Sequence, residues 1–193
     1  MAKASKVNII DIHASSGDNA RQIARVRVED LYSLAVFADN PLYSHELHDM
    51  RIAAKRLRYT LEIFEDVLPA QTADVIKEVT QIQEELGALH DSDVMIELLQ
   101  ICLENKEHGM SYDEAVVQTT PDEIHHERVA VNPELLAYLI NPELVPSTQE
   151  QEGLQLLLMS LQQSRKEQYT TFREHWHQLQ GRDFRRALLN LLT

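Results

Sequence analysis

Residues 47–64 read LHDMRIAAKRLRYTLEIF. An α-helix turns about 100° per residue, so offsets of 3, 7 and 10 stay on one side. His48, Arg51, Lys55 and Arg58 have those offsets and lie within ~80° of arc. Met50, Ala53, Leu57, Leu61 and Phe64 centre on the opposite side, and Arg56 flanks the basic face. The stretch therefore predicts a helix with one packing face and one cationic face. The cationic face is about 15 Å long, ten residues at 1.5 Å each.

The same periodicity extends outward. Ile23, Leu31, Leu34 and Ala38 predict a helix from Asp18, its expected N-cap, to about Asp39, with Arg27 in the middle of the apolar stripe. Asp-Asn-Pro at 39–41 turns the chain, Ser44 is placed to cap the basic helix, and Pro69 follows its end. Val75, Val79, Ile82 and Leu86 predict a third helix over about 71–87. A bend is expected at Gly87 to Asp91, with Asp91 or Ser92 capping a continuation to 104. Leu154, Leu158, Leu161, Phe172, Trp176 and Leu179 form the stripe of a long helix over about 148–180, with Arg165 inside it. FRRALLNLL reads as a short terminal helix after Gly181.

The segment between the third and last long helices has a different character. It runs from Glu104 through Glu107, Asp113, Glu114, Asp122, Glu123, Glu127 and Glu134 to Glu143, against only Lys106 and Arg128. It reads as an acidic insertion over about 105–148, and its two NPEL copies read as Asn-Pro helix starts. The expected fold class is all-α. It is an antiparallel four-helix bundle over 18–193, preceded by a flexible 1–17, with the long acidic insertion before the last long helix.

Composition narrows the function. With 44% hydrophobic and 25% charged residues in 193, the chain reads as one soluble domain. The lone Cys102 leaves no disulfide framework or Cys-based zinc site. No apolar run has the ~20 residues of a membrane span, and the N-terminus lacks the apolar core of a signal peptide. A cytoplasmic protein is the expectation. With 18 Lys+Arg against 31 Asp+Glu, net charge −13, non-specific binding to nucleic acid or an anionic membrane is disfavoured, so any anion site is local.

A row of cations suits a linear polyanion, because guanidinium groups take phosphate oxygens bidentately and lysine adds a point charge. Stacked like charges repel by about a few tenths of a kcal/mol per pair, so something must neutralise them. Carboxylates from neighbouring helices are one answer and a bound anion is the other. Arg27 and Arg165, cations on apolar stripes, favour several helices converging on one electropositive cleft, which Lys166, Tyr169 and Arg173 would extend.

HDMRIAAKRLRYTLEIF followed by IQEELGALHDSDV resembles the CHAD family, the conserved histidine α-helical domain. The signature is a His-x-x-Arg start, a KRLRY core and a later LG-x-x-HD-x-DV segment, while RKEQYTTFREHWHQL resembles the last family helix more weakly. The resemblance covers about 18–104 and 150–193. It implies binding of inorganic polyphosphate by His48, Arg51, Lys55, Arg56, Arg58 and His90, and the stripe argument adds Arg27, Arg165 and Lys166 to that surface. It also implies association with polyphosphate granules. Only one copy of a signature that full members carry in two similar halves is present, which implies a homodimer completing the site.

Other chemistries find less in the sequence. Nine histidines include His45 and His48 at a spacing that permits joint coordination, but no HExxH or compact Cys/His set exists, so no metal and no cofactor are expected. Asp91 and Asp93 fit magnesium, with no catalytic group beside them. No glycine-rich phosphate loop or nucleophile elbow is present, so the expectation is a binding protein and not an enzyme. The alternative is a protein-interaction module whose acidic insertion docks a basic partner, with polyphosphate binding weak or lost.

Overall fold

The computed structural model describes residues 5, 11–104 and 148–193, and these are all-α. Five α-helices follow one another among them: α1 (Ser16–Ser33), α2 (Ser44–Ile63), α3 (Thr72–Glu104), α4 (Thr148–Gly181) and α5 (Phe184–Leu191). Short 3-10 turns at Ala35–Phe37 and Glu65–Val67 follow α1 and α2. The expected acidic insertion, its docking role and most of the N-terminal lead-in fall outside the described residues. The chain forms two compact units, one of Ala2–His90 with Lys166–Thr193 and the other of Asp91–Arg165.

The first unit contains the apolar core. α1 contributes Ala20, Ala24, Val28 and Leu31 to it. Of the expected stripe, Leu31 and Ala38 are buried and Leu34 packs against the core, whereas Ile23 is only half-buried and Ala20, Ala24 and Val28 take the packing positions before Leu31. Two alanines stand on the true packing face, where their small size lets α1 lie close against α2, and Arg27 falls beside that face. The N-cap is Ser15, whose hydroxyl accepts from the Asp18 backbone N–H, so the helix begins before Asp18. α2 buries Leu47, Met50, Ala53, Ala54, Leu57 and Leu61, as its period predicts. Val79, Ile82, Leu86 and Leu89 of α3 and Phe172, Trp176 and Leu179 of α4 complete the centre, and Leu188 and Leu192 add to it from α5 and its C-cap. Tyr169 is also core: it is buried, and its hydroxyl donates to the Ala38 carbonyl at 3.0 Å.

α4 is tied to α3 by charge as well as by packing. The ring of buried His175 lies 2.9 Å from Glu85 Oε2 through Nδ1 and 3.2 Å from Glu78 Oε2 through Nε2. Arg182 donates to the other oxygen of Glu78 at 3.2 Å. In the second unit, Arg165 of α4 is ion-paired with Asp93 of α3 through both carboxylate oxygens.

α3 does not bend at Gly87. It runs unbroken through Gly87 to Asp91, so Asp91 is an exposed mid-helix residue and not a cap. A glycine in a helix interior costs about 0.5–1 kcal/mol relative to alanine, which tertiary packing here outweighs. A Cβ built at Gly87 meets only Arg51 Cδ, at an ordinary contact distance of 4.0 Å. Gly87→Ala should therefore raise unfolding free energy by about 0.5–1 kcal/mol in a denaturant titration. A loss of stability would mean that the helix does break there.

Candidate anion site on the seam between α2 and α3

The basic face of α2 is turned partly toward α3. At one end, His48 Nδ1 and His90 Nδ1 are 3.1 Å apart, with the ring centroids at 4.2 Å. One of these nitrogens must donate and the other accept, so this geometry admits a proton on only one of the two Nδ1 atoms. One turn along α2, the stem of Arg51 passes over Gly87. Counting three residues forward on α2 matches three residues back on α3, so the two helices lie antiparallel in register.

Farther along, Lys55 and Arg58 both lie over the ring of Tyr59, at 5.7 and 4.8 Å from its centroid. Such contacts hold a cation in place without cancelling its charge. Arg58 also approaches Glu62, Nε to Oε1 at 3.4 Å. That distance makes an ion pair, but the N–H is not aligned to make a hydrogen bond, so the buried Nε donates none. Arg51 Nε is likewise buried without a hydrogen-bond partner. Among the described residues, no carboxylate pairs with Arg51 or Lys55. Arg56, half-buried on the flank, has a polar engagement of its own.

The remaining cations singled out from sequence behave differently. Arg27 donates to Asp30 at 2.7 Å and to the Ser5 carbonyl at 3.1 Å. Arg165 is held by Asp93, and Arg173 by Asp39 at 3.1 Å. Lys166 is exposed. Carboxylate neutralisation thus holds for Arg27, Arg165 and Arg173, and not for the centre of the α2 stripe.

The reason lies in α3. Its 33 residues include eight acids, Asp74, Glu78, Glu84, Glu85, Asp91, Asp93, Glu97 and Glu104. The helical positions that the register turns toward the stripe are Ile76, Thr80, Gln83, Gly87 and His90, and none is acidic. Glu78 and Glu85 face α4 instead, on His175. Sequence reasoning missed His175 as a lock and Gln83 and Gly87 as seam residues. Once His48 and His90 are paired, counting back along α3 finds the last two.

Among the described residues, no group of three His, Cys, Asp or Glu side chains is placed to hold a metal, and no helix is long and apolar enough to cross a membrane. Residues 9–100 match a family model described as the CHAD domain. That segment belongs to the CHAD family. It includes the whole α2–α3 seam from His48 and His90 to Arg58, and it stops short of α4, where the resemblance was weaker. No curated protein and no solved structure matches the chain.

The carboxylate that ties α4 to the loop after α1 makes a pH test. Arg173 and then His177 hydrogen-bond Asp39 and hold its carboxyl below the usual value of 3.8. A carboxyl depressed in the folded state stabilises above its unfolded pKa, and loses that contribution as pH falls through the folded one. Asp39→Asn should therefore lower stability at neutral pH and narrow the gap to wild type below pH ~3.8. Parallel denaturation curves at both pH values check this, and a gap that does not depend on pH would refute it.

Proposed function

We propose that the protein binds inorganic polyphosphate, or a similar phosphate-rich polyanion, along the α2–α3 seam, without catalysing its breakdown. One observation carries the reading. In a chain of net charge −13, Arg51 and Lys55 at the centre of the basic stripe have no carboxylate partner among the described residues, and the facing positions of α3 hold no acid. Buried guanidinium nitrogens without acceptors are costly, and a row of phosphate oxygens supplies what they lack. Membership of residues 9–100 in the CHAD family supports the same ligand.

On this reading His48, Arg51, Lys55 and Arg58 line the site and His90 closes one end. Arg27 is secondary, because an anion must compete with Asp30 for it. The protein works in the cytoplasm, at polyphosphate granules. It acts as a homodimer, in which a second copy extends the short run of cations. Leu156, Leu157 and Met159 of α4 are exposed apolar side chains of the kind that association buries.

Titration calorimetry with polyphosphate at low salt tests the ligand. Arg51→Glu and Arg58→Glu should each weaken binding about ten- to a hundredfold, the worth of a charged hydrogen bond. Arg27→Gln should weaken it less, and affinity should fall steeply with added salt. Absence of binding by wild type at low salt would refute the assignment. Solution scattering at high protein concentration tests the dimer, and a monomeric mass would exclude it.

A further inference from the structure

The antiparallel register brings one more residue into the seam. His48 stands opposite His90 and Arg51 opposite Gly87. One turn on, Gln83 comes level with Lys55. It lies between Arg51 and Arg58, about 6 Å along the axis from one and about 4.5 Å from the other. Long side chains span those distances easily. Gln83 Oε1 is buried and accepts no hydrogen bond, while Arg51 Nε and Arg58 Nε are buried and donate none. One empty acceptor and two empty donors therefore share one seam. Each is costly as it stands, and each has the complement of the other.

We propose that Gln83 is the positioning residue of the anion site, an inference that rests on the binding function above. Its amide carbonyl takes an N–H of Arg51 or Arg58 from behind, and the other N–H groups of that guanidinium face the phosphate oxygens. A glutamate would hold the arginine as well, but it would cancel the charge that the anion needs. A neutral amide holds without neutralising. Gly87, one turn away, keeps the arginine stem clear of any side chain on α3. The site thus selects for a polyanion with several adjacent acceptor oxygens, because the held guanidinium presents its donors as a fixed fork.

Three proteins test this with polyphosphate as the probe: wild type, Gln83→Glu and Gln81→Glu. Gln81 is exposed on the face of α3 turned away from α2, so it carries the same charge change two residues off the seam. Gln83→Glu should lower affinity about tenfold or more through the added charge beside two arginines, with its thermal midpoint unchanged or raised by the new ion pair. Gln81→Glu should change affinity by about twofold at most at physiological salt. Equal losses in the two variants would overturn the proposal. So would a fall in midpoint that accompanies the loss of affinity, since that marks a purely structural role. Should Gln83→Glu not fold, Gln83→Met removes the acceptor without adding charge. It must weaken binding at an unchanged midpoint, and unchanged affinity would overturn the proposal. A wild type that binds no polyphosphate overturns the function and this inference together, whereas normal binding by Gln83→Glu overturns this inference alone.

Discussion

A helix that lines up four basic side chains holds together only if its other face is bound far more strongly than the first repels. In α2 the comparison is lopsided. Like charges at helical spacing cost a few tenths of a kcal/mol per pair, roughly, while each large apolar side chain buried gains about 1.5–3 kcal/mol. Leu47, Met50, Leu57 and Leu61 are all buried, with Ala53 and Ala54 allowing close approach. The core therefore carries the cationic face with a wide margin. That margin lets Arg51 and Lys55 stand without carboxylate partners among the described residues, because the fold does not require their neutralisation.

The protein has the means to neutralise them. It holds 31 acidic residues against 18 Lys and Arg. Among the described residues, most arginines outside the seam meet a carboxylate, Arg25 excepted: Asp30 on Arg27, Asp93 on Arg165, Asp39 on Arg173, Glu29 on Arg185. Within the seam the contacts are of another kind. The ring of Tyr59, the His48–His90 pair and the bare backbone at Gly87 confine the cations and leave their charge in place. Only Glu62 intrudes, at the far end, on Arg58. A strongly acidic chain with a basic seam that its described carboxylates leave uncompensated places a local field where the global one is repulsive. Polyanions of high charge density then gain most from the short-range contacts, and weakly charged anions gain little.

Much of this was legible in the sequence, for a physical reason. The α2 stripe is a local pattern, and helical periodicity alone places its faces. The family signature, too, is made of residues close together in the chain. What failed was judgement of small residues and of contacts distant in sequence. Ala20 and Ala24 carry little apolar signal beside Ile23, although close helix packing favours alanine. Gly87 reads as a break because its propensity is poor, whereas Leu86 and Leu89, buried on either side of it, carry the helix through. The partners of Arg27 and Arg165 depend on side-chain geometry, and that of Arg165 is 72 residues away.

Gln83 shows what the register adds that neither periodicity nor signature contains. By itself it is one polar residue among many in a helix of mixed character. Its meaning comes from two contacts elsewhere, His48 with His90 and Arg51 with Gly87, which fix how α3 lies against α2. From that point every fourth or third residue of α3 on that side is assigned a neighbour. At the level of the stripe's middle cation the residue is an amide, followed in sequence by Glu84 and Glu85, which the helix turns away. A shift of one residue toward Glu84, in either the sequence or the register, would put a carboxylate against the arginines. The seam is electropositive because of where α3 does not place its acids as much as where α2 places its bases.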